Sequence, residues 1–112
     1  MSEHVKEITA ADFDREVLGA GLPVVLDFFS TECPPCEALA PKYEAVAEQF
    51  AGRVRFLKVF RQGSRDLAQR LGVTGSPTVL FFDRAGQERG ARLGGDEIKR
   101  TVLKAQVEAL LA

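Results

Sequence analysis

Two cysteines flank two prolines in the run Cys33-Pro34-Pro35-Cys36, and they are the chain's only cysteines. They follow the apolar run Val24 to Phe29 and open a stretch with helical spacing. A thiol just past a buried strand and at a helix start meets free backbone N–H groups and the positive end of the helix dipole, both of which favour the thiolate. Its mate lies one helical turn on, within reach to form or resolve a disulfide. On the residues alone two other readings stay open. One is a pair of packed core cysteines. The other is half of a zinc site, although His4 is the only histidine and structural zinc usually takes four protein ligands.

Three further positions could join that chemistry. Asp27 stands inside the run VVLDFF, where an ionised, unpaired carboxylate would be costly and would keep its proton instead. Such a group is a candidate proton acceptor; the alternative is an Asp at a strand edge with its side chain in water. Lys58, inside VRFLKVF, either pairs with Asp27 from an adjacent strand or extends to solvent. The third is the segment Gly75-Ser76-Pro77-Thr78 ahead of an apolar run. It reads as a tight turn able to hold a cis bond, or as a proline turn that merely starts a strand.

Composition bounds what could carry these groups. With 112 residues, 46% of them hydrophobic and 28% charged, the chain can bury one core unaided, and residues 1–112 read as a single domain. Fifteen Lys and Arg against sixteen Asp and Glu give a net charge of -1, which offers no basic field for nucleic acid or acidic membranes. The first twenty residues mix charges and lack an apolar signal core, and no stretch approaches the roughly 18 apolar residues of a membrane span. The expectation is a soluble, cytoplasmic monomer. In that compartment a close cysteine pair is redox-active or metal-binding rather than a staple.

Hydrophobic periodicity supplies the elements. Ile8, Thr9, Asp12 and Phe13 form a helix-start signature for a helix from about Ala10 to Leu18. Val24 to Phe29 reads as a strand covered on both faces. Leu39, Tyr43, Val46, Ala47 and Phe50 recur at helical spacing from Pro34 onward, with Pro41 expected to kink that helix. Next come a strand over 54–60, a short helix opened by Ser64 and closed by Gly72, and a strand over 78–82. The turn DRAGQ leads to a weaker strand near Glu88 to Leu93. Asp96 is expected to cap a last helix with Ile98, Val102, Leu103, Val107, Leu110 and Leu111 as its apolar stripe. With a short leading strand near Val5 to Ile8, this is an α/β sandwich with a mixed sheet.

Taken together these residues resemble the thioredoxin family, over nearly the whole chain from about Ile8. VVLDFFSTECPPC looks like the family's strand, buried Asp and Cys-x-x-Cys segment. Pro41 falls where the family has its helix proline, and GSPT looks like its cis-proline loop, about forty residues past Cys36. The resemblance implies a thioredoxin fold, a central mixed sheet of about four to five strands flanked by about four helices. It also implies thiol–disulfide exchange: Cys33 attacks a substrate disulfide, Cys36 resolves the mixed disulfide, and Asp27, directly or through a water, takes the proton from Cys36. Lys58 is carried as a candidate catalytic residue, and Glu32, Pro34, Ser76 and Pro77 as candidate substrate-binding positions. No cofactor or metal is expected, since the cysteine pair is itself the redox centre. The implied partners are protein disulfides and a thioredoxin-reductase-like electron donor. A non-enzymatic binding or assembly module, and a disulfide isomerase or oxidant, are the alternative functions.

The chain also departs from that family. Glu32 replaces the usual Trp, Pro34 the usual Gly and Ser76 a branched apolar residue, while FRQGSRD lacks the acidic Asn-Pro pattern. Pro34 removes an N–H that could face the Cys33 thiolate, and Glu32 adds a nearby negative charge. Both changes make thiolate formation harder, and the altered positions imply a different substrate groove.

Overall fold

The computed structural model describes residues 3–112. Strand β1 (Val5–Ile8) leads into a helical segment made of a 3-10 turn (Ala10–Asp12) and a single π turn (Asp14–Leu18). Then come β2 (Val24–Phe29), α1 (Pro34–Gln49), β3 (Arg55–Phe60), a 3-10 turn (Arg61–Gly63), α2 (Arg65–Leu71), β4 (Thr78–Phe82), β5 (Leu93–Gly94) and α3 (Arg100–Leu111). The sheet order is β1-β3-β2-β4-β5. β1 and β2 run parallel to β3, β4 runs antiparallel to β2, and β5 antiparallel to β4. The expected mixed sheet and its helical flanks are present.

β2 is central because its sequence can be covered on both faces. Alternation sends Val24, Leu26 and Phe28 into a core shared with Ile8, Phe13, Val17, Leu67 and Leu80. The opposite face carries Val25, which packs with Leu39, Tyr43 and Val46 of α1 and Leu103 and Val107 of α3. Val24, Val25, Leu26 and Phe28 expose none of their surface, and each such burial contributes about 1.5–3 kcal/mol. Asp27 and the segment leading to Cys33 therefore belong to the central, fully covered strand.

The elements differ from expectation where local chemistry competes. Thr9 and Asp12 do meet, with Asp12 Oδ2 accepting the Thr9 N–H at 3.1 Å. The segment they open is a 3-10 turn and a π turn rather than an α-helix. α1, by contrast, runs as expected from Pro34 to Gln49 with Pro41 inside it. The strand expected near Glu88 to Leu93 shrinks to Leu93–Gly94, with one bridge from Glu88 to Phe82. In the preceding turn, Asp83 Oδ1 accepts the N–H groups of Ala85 and Gln87, and Gly86 supplies φ 83°. Asp96 does not cap the last helix. Ile98 is drawn into the core, the chain stays extended through Lys99, and α3 starts at Arg100. Val102 faces solvent at 43% exposure and leaves the predicted stripe.

Candidate active site

The cysteines sit where the parallel strands end and α1 begins. Cys33 is the N-cap, extended at φ -127° and ψ 90°, and its Sγ accepts the Cys36 N–H at 3.2 Å. A serine N-cap would use its hydroxyl oxygen in the same way. Pro34 and Pro35 fill the first helical turn, pre-setting φ but donating no hydrogen bond. The Cys36 amide is thus the donor left to hold a sulfur anion at the helix start. Cys33 and Cys36 are bridged by a disulfide, with their Cα atoms 5.2 Å apart. Cys33, the implied nucleophile, is as enclosed as Cys36, at 8% and 9% exposure. Their difference lies in position, since Cys33 alone takes the N-cap role.

Asp27 shares the Val25 face of β2, under α1, and is 6% exposed. Its Oδ1 has no hydrogen-bond partner among the described residues. Burial pushes its pKa from 3.8 up to about 7, with the Lys58 charge pulling the other way. Of the two readings for Asp27, the buried carboxyl is the one observed. Lys58 lies opposite Asp27 in the β2–β3 register, yet no ion pair joins them among the described residues. Its Nζ sits 5.4 Å from the centre of the Phe29 ring. Lys58 therefore acts on Asp27 through its field and stays half-buried at the surface.

The loop Gly75 to Thr78 faces the cysteines. The Ser76–Pro77 peptide is cis, so the turn reading that allowed a cis bond holds. The Ser76 carbonyl oxygen lies 3.7 Å from Cys33 Sγ. Thr78 Oγ1 donates to the Gly75 carbonyl at 2.8 Å and closes the turn. Glu32 adopts φ 51° next to Cys33, where a side chain costs about 1–2 kcal/mol that glycine would avoid.

Several groups that tie the surrounding loops together carried no sequence signal. Ser30 and Ser76 share a hydroxyl hydrogen bond at 2.6 Å, joining the loop after β2 to the cis-proline turn. Gln62 Oε1 accepts the Thr31 N–H at 3.0 Å and its hydroxyl at 3.2 Å. Tyr43 reads as one more apolar helix position, yet its hydroxyl lies 2.6 Å from the Leu57 carbonyl and 3.0 Å from that of Val25. Burial, and then the Asp27 charge, raise the Tyr43 pKa well above its usual value, so it stays a neutral donor locking α1 to the sheet. A serine after a strand or a glutamine in a turn looks like ordinary loop composition; only the fold brings these pairs together.

Sulfur atoms held in bonding range at a helix start can cycle between dithiol and disulfide. This is the chemistry of a thiol–disulfide oxidoreductase. A sequence model of the family described as thioredoxin matches residues 4–109. Over 111 residues the chain is 32% identical to the thioredoxin of Pseudomonas aeruginosa, covering 99% of this chain and 96% of that protein. It is 30% identical to the thioredoxin of Allochromatium vinosum over 110 residues, covering 98% and 96%. It is 29% identical to that of Porphyra purpurea over 107 residues, covering 96% and 94%. The chain belongs to the thioredoxin family, and its five-stranded mixed sheet is the thioredoxin fold. Among the described residues no helix is long and apolar enough to cross a membrane.

Proposed function

We propose that the chain reduces protein disulfides through Cys33 as nucleophile and Cys36 as resolving thiol. The Cys33 thiolate attacks one sulfur of the substrate disulfide; the new S–S bond forms as the old one breaks, and the departing thiolate takes up a proton. Cys36 gives its proton to Asp27 and attacks Cys33, so the second substrate thiol leaves. Two electrons have then passed to the substrate, and the protein carries the Cys33–Cys36 bridge.

The observation that carries this reading is the bridge itself, at the start of α1 with Cys33 Sγ facing the Ser76 carbonyl. Asp27 is supported as the acceptor by its burial and its pKa of about 7, and Lys58 as the charge that keeps that value from rising further. Glu32, Pro34, Ser76 and Pro77 lie around Cys33 and are the proposed substrate-binding positions, where an extended substrate segment can hydrogen-bond the Ser76 backbone. A thioredoxin-reductase-like donor returns the electrons. The protein works as a cytoplasmic monomer, one unit over residues 1–112, with no resident cofactor.

Trapping tests the assignment. The Cys36→Ser variant, mixed with a disulfide-containing protein, accumulates a mixed disulfide mapped to Cys33 by mass spectrometry. Cys33→Ser accumulates none. Adducts on Cys36 instead would reverse the roles.

A further inference from the structure

Beside the redox loop the surface charges are unbalanced. Residues 61–74 carry Arg61, Arg65 and Arg70 against a single carboxylate, Asp66. Arg70 is engaged elsewhere, 3.4 Å from Asp14 Oδ1 and stacked over the Phe13 ring. Arg15, Arg55, Arg89 and Arg92 each have a carboxylate partner as well. Arg61 and Arg65, like Arg53, Arg84 and Arg100, have none among the described residues, and of these arginines only Arg61 has an enclosed Nε without an acceptor. Asp66 of α2, adjacent to Arg65 in sequence, and Glu32 of the redox loop are exposed and form no ion pair with either arginine.

Both arginines line a groove of about 490 Å³ whose walls include Gln62, Gln69 and Thr74 and no acidic residue. Two of its lining residues connect the groove to the loops of the redox site. Gln62 holds Thr31, two residues before Cys33, and Thr74 stands two residues before Ser76, whose carbonyl faces Cys33 Sγ. The groove therefore adjoins the two loops that carry Cys33 and Ser76.

We propose that this groove docks an acidic segment of the substrate protein, its carboxylates meeting Arg61 and Arg65 while the neighbouring disulfide is presented to Cys33. The proposal rests on the oxidoreductase reading above. Two unpaired guanidinium forks match carboxylate geometry better than they match a neutral or basic chain. Charge complementarity of this kind raises encounter rates and selects among partners. The selectivity is sensitive to salt, because both arginines border solvent.

Two measurements separate this claim from the reading it rests on. In the first, disulfide peptides of one sequence, carrying a run of Glu, Gln or Lys beside the disulfide, are reduced by the dithiol protein. The Glu peptide exceeds the Gln peptide in kcat/KM by roughly three- to tenfold at low salt, and the gap closes as salt rises. In an Arg61→Gln, Arg65→Gln double variant the ratio falls to about one, while the corresponding double Lys variant, which keeps the charge, retains most of it. Equal rates for the three peptides, or an intact ratio in the Gln variant, would overturn the proposal. In the second, a redox-inert Cys33→Ser, Cys36→Ser protein is titrated with the reduced Glu peptide while the arginine Nε–H signals are followed by NMR. Shifts at Arg61 and Arg65 support docking even if no peptide is turned over, an outcome that would sink the oxidoreductase reading alone. Turnover without preference and without those shifts would sink the groove alone.

Discussion

Two carboxyl groups at opposite ends of the parallel strands show how surroundings set chemistry. Glu16 lies where β1 and β3 start, with Lys6 Nζ at 3.1 Å, Arg55 Nη1 at 3.1 Å and Arg15 Nε at 3.6 Å. The Lys6 hydrogen bond foremost, then the fields of Lys6, Arg55 and Arg15, outweigh partial burial and hold its pKa below the usual value. Asp27 lies toward the strand ends that carry the cysteines, unpartnered at Oδ1, with Lys58 as its one opposing charge. Burial wins there and lifts its pKa to about 7. Glu16 is a fixed anion tying two strands to the π turn; Asp27 is a group whose proton can move near neutrality. The second arrangement costs stability whenever the carboxyl is ionised.

The sharpest way to break this contrast is through pH. Folded Asp27 holds its proton between 3.8 and about 7 while the unfolded chain releases it, so this residue makes stability fall as pH rises through that window. Asp27→Asn removes the decline, and the stability difference between variant and wild type should shift in the variant's favour by on the order of 4 kcal/mol from acid to mildly alkaline pH. Urea unfolding of the oxidised proteins across that range measures it. Parallel curves for the two proteins would show that Asp27 is not the strained carboxyl described here.

A smaller effect is expected at the helix start. Pro34→Gly restores an N–H that can face the Cys33 thiolate, and a hydrogen bond to a charged group contributes about 1.5–3 kcal/mol. The reduced variant should ionise at lower pH, as followed by ultraviolet absorbance of the thiolate. An unchanged or higher midpoint would mean that the Cys36 amide alone saturates the sulfur. At the opposite end, Glu16→Gln should cost about 1–2 kcal/mol at neutral pH, since Lys6 and Arg15 are well exposed and screened by solvent. The sign is opposite to that of Asp27. The Glu16 contribution is present above the unfolded pKa and is lost as pH falls through the depressed folded value, so variant and wild type should converge in acid. A cost that persists in acid would assign it to packing instead of charge.

Much of this was legible in the sequence because it depends on periodicity and on residues with one physical use. The continuous apolar run of β2 could only be a central strand, and an Asp within it had to be buried or at an edge. Cys33-Pro34-Pro35-Cys36 announced a helix start, and Ser76-Pro77 a turn able to be cis. The start of α3 was misplaced because Asp96 offered a local cap while the burial of Ile98, a tertiary fact, decided the outcome. The links that tie the surrounding loops together, Ser30 to Ser76 and Thr31 to Gln62, join residues 46 and 31 positions apart and leave no local pattern. Nor did the sequence distinguish an ion pair from a field for Lys58; the register places it opposite Asp27, and its ammonium lies near Phe29 instead.

The most direct test of the account is equilibration of the purified protein in glutathione buffers of graded potential, with alkylation and mass spectrometry of Cys33 and Cys36 as the readout. The account predicts one reversible two-electron transition from dithiol to the intramolecular bridge, approached equally from the reduced and oxidised sides. A pair that stayed in one state across the whole range, or opened only on unfolding, would contradict it and leave the cysteines as structural residues.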